Sequence, residues 1–171
     1  MKLGEKYGCI DSKGQEIIPV KYDDQINFSE GLANVKIDGN YIYIDQQGRQ
    51  VFPEKYDYAT LFSAGIAAVS AGDKWGVIDR KGELVVPPQY DAISLSSFRT
   101  ELIAVRVAEK WGYINKCGKM VIEPQFEDAK PFSRSVGLAE VCINGKFGLI
   151  DKKGKFVIPA QYDYLVVGNE Y

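Results

Sequence analysis

The sequence predicts an all-β protein, a tandem array of five three-stranded antiparallel units with the last one incomplete. Three observations predict it. One phrase recurs along the chain: "KWGVIDRKGELVVPPQYD" spans residues 74–91, "KWGYINKCGKMVIEPQFE" begins at 110 and "KFGLIDKKGKFVIPAQYD" at 146. Within each copy, apolar residues alternate with polar ones, the period of a half-buried strand. No long window places apolar residues at i, i+3 and i+4, so no helix is expected.

Aligned on the aromatic residue that opens each copy, the repeats run from Tyr7, Tyr41, Trp75, Trp111 and Phe147, in steps of 34, 34, 36 and 36. Three residues on stands Ile10, Ile44, Ile78, Ile114 or Ile150. Asp11, Asp45, Asp79, Asn115 or Asp151 comes next, and Gly14, Gly48, Gly82, Gly118 or Gly154 three later. Each copy then carries Tyr22, Tyr56, Tyr90, Phe126 or Tyr162, followed at once by an acid. The repeat boundaries are about 6–39, 40–73, 74–109, 110–145 and 146–171, all in one array.

The first strand of a unit is "LANVKI" and its equivalents. Its core face is expected to be Ala33, Val35 and Ile37, then Ile103, Val105 and Val107, then Ala139, Val141 and Ile143. Asp38-Gly39 and Asn144-Gly145 follow, and such pairs favour two-residue hairpins. The second strand is the "WGVID" segment. It ends in "DRKG" or "DKKG", where the aspartate can accept backbone N–H bonds and the glycine can take positive φ. The third strand, "ELVVP" or "KFVIP", is expected to stop at its proline, which has no N–H to give a ladder. A long irregular connection then leads to the next unit. One unit of this size cannot bury a core alone, so neighbours must stack.

These residues resemble the WG repeat, also called the KWG repeat, of bacterial proteins. The resemblance rests on aromatic-Gly, Ile-Asp, Gly, Val-Ile-Pro and Tyr-Asp at fixed offsets, and it covers residues 6 to about 163. It implies a bacterial β-repeat protein with a presumed interaction role, and no catalytic residues. The second copy departs from the pattern: "NYIYIDQQG" has Ile42 where the glycine belongs. An open, twisted, solenoid-like stack is expected, lacking a first strand at its front. Its sheet edges would then be free for self-association. The alternative is a propeller-like ring, closed if Tyr164–Val167 supplied the missing strand.

Composition narrows the function. The net charge is −2 and the pI is about 5.3, so net charge does not favour nucleic acid or an anionic membrane. The start, "MKLGEKYGCI", reads as neither signal peptide nor lipoprotein signal, and no apolar run approaches the roughly 20 residues of a membrane span. Cys9, Cys117 and Cys142 are odd in number and far apart, without metal-ligand spacing or a disulfide framework. A cytoplasmic location is expected. Histidine is absent, which removes the commonest general base and metal ligand. No enzyme activity, metal or cofactor is expected. Cys117 lies in a basic turn but has no histidine to pair with, and is read as an incidental exposed thiol.

The turn aspartates lack the alternating carboxylates of a calcium loop and are read as turn caps. The turns they cap are basic at their tips, which could meet a phosphate backbone; exposed turns are also charged simply for solubility, and nucleic acid is not the expected partner. The two length irregularities carry more information, since insertions fall on loops and loops carry binding. Copy three inserts two residues in "AISLSSF", and copy four inserts two in "FSRSVG". Leu95, Phe98, Arg99 and Arg134 are therefore the candidate partner-contact residues. The expected function is a non-catalytic protein-interaction module or scaffold that presents loops to a protein partner. The alternative is a binder of a sugar, nucleotide or quaternary amine between the aromatics Tyr41, Trp75, Trp111 and Phe147.

Overall fold

A computed structural model describes residues 1–165 of the 171, and these form five small antiparallel sheets. The first holds β1 (Lys2–Leu3), β2 (Lys6–Ile10) and β3 (Glu16–Tyr22). The second is the pair β4 (Ala33–Ile37) and β5 (Asn40–Ile44). The third holds β6 (Tyr58–Ala59), β7 (Ile66–Ala71), β8 (Lys74–Asp79) and β9 (Leu84–Tyr90). The fourth holds β10 (Ala92–Ile93), β11 (Leu102–Val107), β12 (Lys110–Asn115) and β13 (Met120–Phe126). The fifth holds β14 (Asp128–Ala129), β15 (Ala139–Ile143), β16 (Lys146–Ile150) and β17 (Phe156–Tyr162). Spatial order follows chain order in every sheet, and none closes into a barrel. Among the described residues no helix is long and apolar enough to cross a membrane.

The expected hairpins are present. Asp38-Gly39 and Asn144-Gly145 take positive φ at both positions, the twist that a two-residue hairpin needs. The five turns that follow the second strands are built alike. One side-chain oxygen of Asp11, Asp45, Asp79, Asn115 or Asp151 accepts N–H bonds from the residues two and four ahead, at 2.8–3.0 Å. These are turn caps.

The third strand does not stop at proline. β3, β13 and β17 run through Pro19, Pro124 and Pro159 to the tyrosine or phenylalanine beyond. Tyr7 faces Tyr22 and Cys9 faces Ile18, so β2 advances two residues while β3 advances four. The same slip recurs between Trp111↔Phe126 and Tyr113↔Ile122, and between Phe147↔Tyr162 and Leu149↔Ile158. The proline sits in this bulge, where a missing N–H costs no ladder bond. The bulge also explains the glycine after each aromatic. A β-carbon on Gly8, Gly76, Gly112 or Gly148 would lie 2.5–2.6 Å from the carbonyl oxygen of Ile18, Val86, Ile122 or Ile158. Copy two, with Ile42 there, forms no third strand. Residues 50–56 keep only the isolated bridges Ile44↔Gln50 and Tyr41↔Tyr56, and Ile42 packs into the core.

Further expectations need correction. The front of the array is not short of a strand, because Lys2–Leu3 pairs with β2 and Met1 exchanges backbone bonds with Gly8. Tyr164 and Leu165 form no strand, and Val166 and Val167 lie outside the described residues. The connections hold order of their own: β6, β10 and β14 each add a two-residue strand beside the next unit, and Leu95–Arg99 forms a 3-10 turn. Strand alternation holds in β4 but fails in β7 and β11, which are buried on both faces through Ser70 and Val105. Val107, expected in the core, is 38% exposed.

The described residues pack as two compact units divided between Pro88 and Gln89, within β9. In the first unit, Ile18, Tyr22, Ala33 and Val35 of copy one pack on Ile42 and Ile44 of copy two. Tyr43, Phe52, Tyr56, Phe62 and Val69 of copy two then pack on Ile78 of copy three. In the second unit, Tyr113, Ile122, Phe126, Ala139 and Val141 of copy four pack on Leu102 and Ala104 of copy three and on Ile150 of copy five. Each core is thus shared by successive copies, as stacking requires.

Candidate functional site: a basic cleft in the second unit

The second unit contains a cleft of about 570 Å³ where the residues directly after the enlarged loop of copy three, and the enlarged loop of copy four, meet two of the capped turns. Copy three contributes Arg99, Thr100 and Glu101, and copy four's second-to-third-strand turn contributes Lys116 and Cys117. The enlarged loop adds Phe132, Ser133 and Arg134, and the turn of copy five adds Lys152. Four cations thus face one carboxylate, in a chain whose net charge is −2.

Each wall is held by local chemistry. In the 3-10 turn, the Ser97 hydroxyl is fully buried, donates to the Ser94 carbonyl and accepts from the Ala104 N–H at 3.2 Å. Thr100 closes the turn: its N–H donates to the Ser97 carbonyl at 3.0 Å. Phe98 is 1% exposed and belongs to the core, so it is a pin for the turn and not the partner contact expected of it. Arg99, the next residue, is left outside. In the fourth copy's loop, Ser133 donates to the Leu138 carbonyl at 2.8 Å and accepts from the Gly137 N–H at 2.9 Å. Phe132 is buried, edge-on to Tyr113 at 4.9 Å between ring centres, and Arg134 stands exposed at the tip. Lys152 pairs with Glu101 at 2.7 Å, tying the turn of copy five to the residues that lead from the enlarged loop of copy three into β11.

Of the four expected contact residues, the cleft therefore brings together Arg99 and Arg134. Leu95 is 45% exposed on the 3-10 turn but does not line the cleft. Lys116, Lys152 and Cys117 join from turns that the sequence reading treated separately. The signal that pointed to them was their basic tips. A second cavity, about 580 Å³, lies in the first unit beside residues 51–56, but its Lys55 and Lys81 face Glu54 and Glu83. It has no charge preference to offer a ligand.

The aromatic candidates are half-buried and do not form cages. Tyr41 and Trp75 both contact Tyr58, at 5.1 and 5.5 Å between centres, giving a short row of rings in the first unit. The Tyr41 hydroxyl donates to Asp24 at 3.1 Å; burial and that carboxylate raise its pKa. Arg106 lies over Trp111 at 5.8 Å, its cross-strand neighbour, so that ring already has its cation. Phe147 faces Cys142 across the strands, and no ring joins it to Trp111 among the described contacts.

None of the curated proteins compared with the chain matches it. A family model described as WG containing repeat matches five times in tandem, over residues 7–41, 43–75, 75–111, 111–147 and 147–167. The matched segments open on the aromatic positions that precede the bulge glycines in four of the five copies. With the whole repeated frame covered in this way, the chain belongs to the WG repeat family.

Proposed function

We propose that the chain is a non-catalytic, cytoplasmic interaction module that holds a protein partner in the basic cleft of its second unit. One observation carries this reading: the enlarged loop of copy four and the residues directly after the enlarged loop of copy three line one cleft, although they lie a full copy apart in sequence. Departures from a repeat are where a scaffold gains binding. Arg99 and Arg134 are exposed, so Arg99→Glu with Arg134→Glu should leave the fold intact. Affinity capture with the intact chain and with this double variant tests the proposal. A partner held by the first and lost by the second supports it; a partner held equally by both sinks it.

A second reading rests on the row Tyr41–Tyr58–Trp75, with Tyr58 46% exposed. Such a row offers ring faces to a sugar or a quaternary amine. Titration of these ligand classes against tryptophan emission would support it if Trp75→Phe abolished the response.

A further inference from the structure

We propose that the basic cleft is a phosphate seat, and that the partner segment it takes is a phosphorylated peptide; this rests on the interaction reading above.

The chain has five arginines. Three are engaged. Arg49 pairs with Asp45 at 2.7 Å, Arg80 donates to the Glu30 carbonyl at 2.6 Å, and Arg106 lies over Trp111. Arg99 and Arg134 have no ion pair or hydrogen bond among the described residues, and these two line the same cleft. Lys116, half-buried on the cleft wall, also has no side-chain partner there. Lys152 is different, since Glu101 neutralises it. The cleft therefore gathers the two guanidinium groups that have neither an ion pair, a hydrogen bond nor a ring contact among the described residues.

The chemistry of those groups selects the ligand. A guanidinium presents a planar fork of N–H donors matched to oxyanions. One carboxylate would balance one arginine and leave the other unpaired. A phosphoryl group carries about −1.5 to −2 charges and three acceptor oxygens, enough for both forks. Arginine clusters read phosphorylated segments in this way. The walls suit the task because they are fixed beforehand. Ser97 and Phe98 anchor the backbone under Arg99, and Phe132 anchors it beside Arg134. The ordering cost of binding then falls on the arginine side chains and not on the backbone beneath them. A nucleic acid fits less well, because a polyanion needs a run of cations along its backbone. The cleft itself is lined by only four cations, and Glu101 stands among them.

The test uses the full chain and short peptide libraries with a central phosphoserine, phosphothreonine or phosphotyrosine. The matching unphosphorylated libraries and a single-stranded oligonucleotide serve as comparison. At least one phosphorylated library should be retained at least about tenfold more strongly than its unphosphorylated form, and inorganic phosphate should compete. Arg99→Glu with Arg134→Glu should abolish retention while circular dichroism and melting stay unchanged. Bound phosphopeptide should also slow alkylation of Cys117, which lies on the cleft. Equal retention of phosphorylated and unphosphorylated libraries would overturn the proposal, and so would stronger retention of the oligonucleotide. Phosphatase treatment of the lysate before affinity capture separates the two readings. A partner that survives it, yet is lost by the double variant, removes the phosphate and keeps the interaction module. A partner that the double variant retains removes both.

Discussion

At Gly112 a β-carbon would meet the Ile122 carbonyl oxygen at 2.5 Å, with only backbone available to move. At Gly39 it would meet nothing within 4 Å, but φ is +82°. The first glycine answers to space and the second to conformation. Gly112→Ala should cost about 3 kcal/mol, because the bulge must shift or break. Gly39→Ala should cost about 1 kcal/mol, the left-handed penalty alone. Urea titration of both variants checks this, and equal losses would remove the bulge from the explanation. The turn caps give a pH prediction. N–H donation by Arg49 is the largest influence holding the Asp45 carboxyl below its usual range, and the Arg49 side chain adds to it. A lowered folded pKa means stability that is present above the unfolded value, near 4, and lost as pH falls through the folded one. Asp45→Asn should keep both backbone bonds, as Asn115 does in copy four, and flatten the acid limb of the stability profile. A slope unchanged from the parent chain in melts between neutral and acid pH would contradict that role. The caps were legible in the sequence because an Asx turn is local. The reason for Gly112 was not, since a strand slip depends on residues that lie ten positions away.

Among the elements, the hairpins differ in how well their residues suit them. β4–β5 and β15–β16 turn on Asp38-Gly39 and Asn144-Gly145, but β11–β12 turns on Ala108 (φ 46°) and Glu109 (φ 67°). Both non-glycine residues occupy the left-handed region. Ala108→Asn with Glu109→Gly should stabilise the second unit by about 1 kcal/mol, after part of the relief is offset by added freedom in the unfolded chain. A fall in melting temperature would show that Ala108 and Glu109 have a compensating contact. The pattern of strands was readable from alternation and turn residues. The two-residue strands β6, β10 and β14 were not, because two residues carry no period. The run of the third strand through proline is hidden in the sequence for a related reason. Proline's missing donor matters only where the ladder is continuous, and the bulge interrupts it there. The loss of that strand in copy two was foreshadowed by Ile42: a side chain at this position cannot coexist with a backbone 2.5 Å away.

Over the whole molecule, repetition revealed the architecture and its interruptions indicated the site. The two insertions were visible in the spacing, yet their convergence on one cleft depends on how copies four and five stack within the second unit. Phe98 was read as a contact because it lies on an inserted loop, but burial of its ring is what holds that loop. Free and occupied arginines look alike in a sequence; only the structure separates Arg99 and Arg134 from Arg49 and Arg80. The most direct measurement on the cleft as contact surface is photo-crosslinking from its rim. The reagent is attached at Cys117 in a chain carrying Cys9→Ser, with Cys142 buried and its thiol pKa raised by burial and by Glu127. The comparison chain carries Cys9→Ser, Cys117→Ser and Ser12→Cys, placing the same reagent on the equivalent turn of copy one. Captured partner should crosslink from position 117 and not from position 12. Crosslinking from position 12 alone, or equally from both, would contradict the account.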